Sequence, residues 1–251
     1  MDSTTLAVNN IEAIFFDMNG TLRIRVPDDM FQLQSVERLL EILGKPDVPA
    51  AYLDELFRRY KAYTRWADEN ETSLSEAEIW NQWITPELPR ERIEPQAVEL
   101  MLALRNCKGR SKLKPGAVDV LGELSQRGYR LGVISNTTST ADLPRFIEEC
   151  GLVKFFEAVV LSSMLGTRKP GTGIFREAIR LVRLDPAQCA YLGNKISKDV
   201  VGAHRAGFGM AMVISPTDLP QVPLKDQVEI PDVVIHELED LLGIFPPRSK
   251  K

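Results

Sequence analysis

The chain has 251 residues, of which 44% are hydrophobic and 26% charged, with a formal net charge of −4. That balance is the one found in ordinary soluble globular proteins, and it argues against nucleic acid or an anionic membrane surface as the main partner. Cys107, Cys150 and Cys189 are far apart and odd in number, which argues against a zinc ribbon or disulfide framework and favours a reducing, cytoplasmic home.

The first ten residues are polar and lack the apolar run of a signal peptide, and no stretch approaches the ~20 apolar residues that span a bilayer. The apolar run Ala13 to Phe16 then ends abruptly in Asp17, followed by Met18-Asn19-Gly20-Thr21-Leu22. Such a run predicts a strand buried on both faces, and Asn-Gly predicts a turn. Asp17 is therefore expected at the carboxyl end of a central strand, where open α/β sheets bind ligands. There it can serve as a nucleophile, a metal ligand or a helix cap.

From Asp28 to about Asn106 only helical periodicity is visible. Asp28 or Asp29 caps a first helix carrying Leu33, Val36, Leu40 and Leu43, stopped at Gly44. A second carries Leu53, Leu56, Phe57, Tyr60 and Tyr63. Ser73 with Glu76 reads as a capping box for a third, containing Trp80 and Trp83. Pro95 opens a fourth, with Val98, Met101, Leu102 and Arg105. Aromatic residues at this spacing are expected to be the core of a small bundle.

After Lys114 strands alternate with helices. Strands are expected at 130–134, 158–161, 189–192, 210–214 and 233–235, and helices after Pro115, near 142–150, around 174–182, from Asp199 to Gly207 and at 238–244. This rhythm predicts an α/β fold, a Rossmann-like doubly wound parallel sheet, interrupted by an inserted all-helical subdomain. Residues 1–24 and 111–251 form the expected core and 25–110 the insert. The tail from Pro246 onward is expected to fray.

In such a sheet Asp17, Ser135, Lys169, Asn194 and Asp199 gather at one edge although they are far apart in sequence. A carboxylate beside a hydroxyl and an ammonium suits phosphoryl or acyl-like transfer to Asp17, with Ser135 and Lys169 holding the developing negative charge. Asp17 and Asp199 together suit Mg2+.

These stretches resemble the four motifs of the haloacid dehalogenase superfamily. The first resembles Phe16-Asp17-Met18-Asn19-Gly20-Thr21, the second Val133-Ile134-Ser135-Asn136 and the third Arg168-Lys169-Pro170. The fourth resembles Gly193-Asn194 to Asp199-Val200, and the insert resembles the family's helical C1 cap. The resemblance implies a hydrolase acting on a small phosphorylated metabolite, as a monomer or homodimer. It makes Asp17 the nucleophile, Ser135 the phosphate-binding hydroxyl and Lys169 the charge neutraliser, with Gly20, Thr21 and Asn136 near the substrate. Mg2+ would be held by Asp17, the carbonyl oxygen of Asn19 and the fourth-motif side chains Asn194 and Asp199.

Two positions depart from the family's phosphatase pattern. Asn19 stands where an Asp protonates the leaving alcohol and activates water, and an amide cannot do that work. Asn194 stands where a metal-binding carboxylate is usual. Weakened phosphatase chemistry is the first expectation, a binding-only pseudo-enzyme the second, and a metal-independent haloacid dehalogenase the third. Arg23 and Arg25 flank the entry to the cap and can meet an anionic substrate on closure; their alternative is surface charge near the hinge.

Overall fold

The computed structural model of the protein describes residues 8–215, 217 and 226–248. Six strands form one parallel sheet: β1 (Ala13–Phe16), β4 (Arg130–Ser135), β5 (Phe156–Leu161), β6 (Cys189–Gly193), β7 (Met210–Ile214) and β8 (Val233–Ile235). Their order is β5-β4-β1-β6-β7-β8. Strand β1 is central, pairing Ala13 with both Arg130 and Cys189. Its four side chains are all buried, and they alternate. Ile14 and Phe16 join a core with Leu121, Leu124 and Phe146 on one face. Ala13 and Phe15 join Phe175, Ala178 and Val200 on the other. Helices on both faces explain why the strand reads as an unbroken apolar run.

A two-stranded antiparallel ribbon, β2 (Arg23–Val26) with β3 (Arg110–Leu113), leads out of the sheet and back. Neither strand stands out in the sequence, because RIRV and RSKL are short and charge-rich. Beyond the ribbon lie α1 (Asp29–Ile42), α2 (Ala50–Glu69), α3 (Glu76–Ile79), α4 (Arg90–Ile93) and α5 (Ala97–Asn106). They enclose their own core of Leu39, Leu56, Tyr63, Trp80, Leu100 and Leu104. Trp66 and Trp83 pack against it with ring centroids 5.4 Å apart, so most of the aromatic face is bundle core.

Several local expectations shift. Asp28 does cap α1, accepting from the backbone N–H of Phe31 at 3.0 Å, but Leu33 is exposed and Leu39 takes its place inside. The capping box of α3 is Ser75 with Glu78, two residues later than Ser73 and Glu76. Pro95 lies in a 3-10 turn, Glu94–Gln96, just before α5. Asp199 does not open its helix. It lies in a π-turn, Ile196–Val200, that Lys195 precedes as N-cap and that runs into a helix over Val201–Arg205. Through Arg248 the tail is docked, not frayed: Tyr129 donates to the carbonyl of Pro246 at 2.9 Å, and the Arg248 N–H bonds the carbonyl of Arg127. Residues 249–251, like 1–7, fall outside the described residues. No helix among those described is long and apolar enough to cross a membrane.

Candidate active site

Asp17 follows β1 directly, and its backbone N–H extends the sheet by bonding the carbonyl of Leu192 at 2.8 Å. The chain then turns tightly, with the carbonyl of Met18 accepting from Thr21, Leu22 and Arg23. Gly20 adopts φ +91°, and a Cβ built there would stand 2.1 Å from Nδ2 of Asn194. Only glycine fits both the backbone angle and that neighbour.

The carboxylate of Asp17 is almost wholly buried. Its Oδ1 accepts from Ser135 Oγ at 2.9 Å and from Lys169 Nζ at 2.8 Å. Among the described residues nothing donates to Oδ2, and Asp17 lines a cavity of about 290 Å³. Asp17 therefore has one anchored oxygen and one open one. Burial first, and the charge of Asp199, hold its carboxyl above the usual carboxylate range against the pull of Lys169.

Lys169, 2% exposed, is the hub. Besides Asp17 it meets Asp199 Oδ1 at 2.7 Å, the Tyr191 hydroxyl at 2.6 Å and the carbonyl of Ile134 at 3.1 Å. Burial opposes its charge, but the two carboxylates outweigh that and raise its pKa. A lysine before proline in a loop is ordinarily solvated; here the loop is held by Asn136, whose amide bonds both the N–H and the carbonyl of Lys169 at 2.9 Å. Asn136, expected beside the substrate, spends both ends of its amide on that positioning. The Thr21 hydroxyl is fully buried with no hydrogen-bond partner among the described residues.

Tyr191 is a site residue that sequence reasoning missed. Its hydroxyl donates to the carbonyl of Ile134 at 2.8 Å and braces Lys169 from below. It sits inside the apolar run CAYLG, where a tyrosine looks like any other strand residue.

The fourth motif divides. Asp199 Oδ2 accepts from the backbone N–H groups of Asn194 and Lys195, at 3.0 and 2.9 Å, and Oδ1 takes Lys169. Gly193 makes this possible, since a Cβ there would lie 2.2 Å from Asp199 Cγ. Both oxygens of Asp199 are thus engaged, making it the counter-ion of Lys169 instead of an open metal ligand. Asn194 and Asn19 line the cavity together with Lys195, Lys198 and Arg168.

The donors for the Mg2+ that the resemblance implies are then one open carboxylate oxygen and two amides, on a wall rich in cations. No group of three or more His, Cys, Asp or Glu side chains suited to a metal is found among the described residues. This set does not fit a tightly held Mg2+, which favours carboxylate oxygens.

The helical block covers this edge. Asp68 of α2 pairs with Arg168 at 2.7 Å and Lys198 at 2.5 Å. Tyr60 bonds Thr138 Oγ1 at 2.8 Å, and Arg105 meets Asp142 at 2.7 Å. Arg23, 1% exposed and also on Asp142 at 2.9 Å, is not a surface charge.

Over 237 residues the chain is 29% identical to a phosphoglycolate phosphatase of Nitrosococcus oceani, covering 93% of this chain and 96% of that protein. It is 33% identical over 127 residues to a glyceraldehyde 3-phosphate phosphatase of Methanothermobacter thermautotrophicus, a match spanning 51% of this chain and only about half (54%) of that one. A solved 2-haloacid dehalogenase from Pseudomonas syringae superposes with a TM-score of 0.66 at 22% identity, covering 93% of this chain and 97% of that one, and shares the fold. The model of the haloacid dehalogenase-like hydrolases matches residues 11–207. With the parallel sheet, the carboxylate at the end of its central strand and the match over most of its length, this chain belongs to the haloacid dehalogenase-like hydrolase family.

Proposed function

We propose that the protein is a phosphatase-type hydrolase of small phosphomonoesters, working through an aspartyl-phosphate at Asp17. The observation that carries this is the convergence of Ser135 and Lys169 on one oxygen of Asp17 while the other faces the cavity. The open oxygen attacks phosphorus, the bond to the leaving alcohol's oxygen breaks, and the acyl phosphate forms. Lys169 and Ser135 stay at the reacting carboxylate and offset the negative charge that accumulates. Water then attacks the acyl phosphate, releasing inorganic phosphate and restoring Asp17. The phosphatase relatives support this reading and lend none to a fold kept for binding alone.

Asn19 sets the pace in this scheme. The leaving alkoxide needs a proton and the incoming water a base, and an amide supplies neither. Loss of general acid–base help costs ~10²–10⁴-fold. Mg2+ is expected to bind weakly here, for the donor reasons given above. A halide leaves without a proton, so Asn19 and Asn194 also favour, as a second reading, a dehalogenase that needs no metal.

One substrate panel separates the two: purified protein with phosphomonoesters and short 2-haloacids, with and without Mg2+. Phosphate release abolished by Asp17→Asn supports the proposal. Halide release with no phosphate release sinks it.

A further inference from the structure

A second cavity of about 540 Å³ opens beside the first. Asn19 lines both, so the two meet at the turn after β1. The second carries Arg23 and Arg25 from the ribbon, Arg105 and Lys108 from the end of α5, and Tyr60 from α2. Four cations thus surround a space beside the nucleophile.

Their counter-charge is short. Asp142 serves both Arg23 and Arg105. Arg23 donates to it from Nη2, while its Nε and Nη1 are buried with no hydrogen-bond partner among the described residues. Arg25 donates to the carbonyl of Gly109 at 2.7 Å and pairs with no carboxylate among the described residues. Lys108 lies over the ring of Tyr60 at 4.8 Å and forms no ion pair among the described residues. Burial first, then repulsion from Arg105 and Arg23, pushes Arg25 down to about 10. Burial, with Arg105 and Arg25, also lowers Lys108 although Tyr60 pulls the other way. Cations crowded in this way, with buried donors unpaired, are completed by an anion.

We infer that this cavity is a second anion subsite. The substrate carries, apart from the phosphoryl group that meets Asp17, another negative group, a carboxylate or a phosphate, held by Arg25, Arg105 and Lys108 beside Tyr60. The inference rests on the phosphomonoester reading for the group at Asp17. It narrows the substrate class to small phosphate esters with two separated anionic ends. Arg23, with its unpaired donors, forms the floor.

Equilibrium binding tests it without turnover. The full-length Asp17→Asn variant is titrated calorimetrically with ethyl phosphate, phosphoglycolate and ethylene bisphosphate. The first lacks a second anion, the second ends in a carboxylate and the third in a phosphate. At least one two-ended ester is expected to bind about tenfold or more tighter than ethyl phosphate, the size of a charge-assisted contact, and the better of the two identifies the group. Adding Lys108→Met is expected to shrink that ratio severalfold, and Arg25→Met with Lys108→Met to bring it near one, with melts confirming folding. Equal affinities for all three esters, or a ratio that survives Lys108→Met unchanged, overturn the subsite. Turnover by the wild type separates the two readings. Release of phosphate from all three at equal kcat/KM keeps the reaction and overturns the subsite. No release from any, with the binding ratio intact, keeps the subsite and overturns the reaction.

Discussion

At the scale of single residues, the proposed chemistry turns on Asn19, an amide at the turn after β1, and on Lys169, which pairs with both buried carboxylates. Asn19→Asp together with Asn194→Asp is expected to raise phosphomonoester turnover by ~10²-fold or more, because the rest of the frame is in place. Phosphate release by the double variant checks this, and calorimetry should show Mg2+ binding tighter than in the wild type. An inert double variant that folds and binds Mg2+ would show that the frame has drifted. The experiment needs a wild type free of deamidation, to which Asn-Gly is prone in flexible segments. Here the nitrogen that would have to attack the Asn19 amide is held, since Gly20 N–H bonds the carbonyl of Arg23 at 2.7 Å. Asn19 is accordingly expected to keep its mass on ageing, as peptide mass measurement will show. Lys169→Met leaves Asp17 and Asp199 buried and unpaired, and a loss of ~3–5 kcal/mol is expected from denaturant melts. The proposed nucleophile has its own pH signature. Because burial raises the Asp17 pKa, the acid limb of the kcat/KM profile should fall off above the ordinary value of 3.8.

At the scale of elements, the helix over Val201–Arg205 is tied to the start of β8 by His204. Its Nε2 faces Asp232 Oδ2 and its Nδ1 faces the carbonyl of Val228, both at 3.0 Å, so the doubly protonated ring satisfies two acceptors. The Asp232 hydrogen bond raises its pKa against burial. A raised folded pKa gives stability fully present below the unfolded value of 6.5 and lost as pH climbs through the folded one. Urea melts across that window should show the decline, and His204→Gln should flatten it. The elements also show what was legible beforehand. The parallel strands could be read because burial on both faces leaves an apolar run, and Asp17 and Ser135 because each closes such a run; Lys169, separated from β5 by a helical turn and a loop, was legible only as part of the Arg168-Lys169-Pro170 stretch. The ribbon was not legible, since two short charged strands carry no pattern. Tyr191 and the clamp role of Asn136 were hidden for another reason: what they do depends on a loop from elsewhere in the chain folding over them. Glu76 shows the same effect. It looks like half of a capping box, yet its carboxylate accepts from the Thr140 N–H and hydroxyl at 2.6 and 2.8 Å, across to the sheet domain.

At the scale of the whole molecule, the helical block rests on the sheet domain in two places. One is the Tyr60, Arg105 and Glu76 group against Thr138 to Asp142. The other is the strand-like contact of Glu71 to Ser73 with Gly166 to Arg168, beside the Asp68 ion pairs. Asp68→Asn should weaken this closure by on the order of 1 kcal/mol, the most a partly exposed pair usually contributes. Faster hydrogen exchange at residues 71–73 and 166–168, with a higher KM, would register it. The insertion also has a consequence in time. Central β1 leaves the ribosome before either of its partners, since β4 begins at Arg130 and β6 at Cys189. At about 5–20 residues per second the strand waits on the order of ten seconds for a neighbour. Meanwhile the helical block, with an apolar core of its own, has everything it needs to collapse. The nascent chain is therefore expected to carry a folded helical block beside a bare, wholly apolar strand, and the segment that leads into Asp17 is the one most in need of shelter until synthesis passes β6.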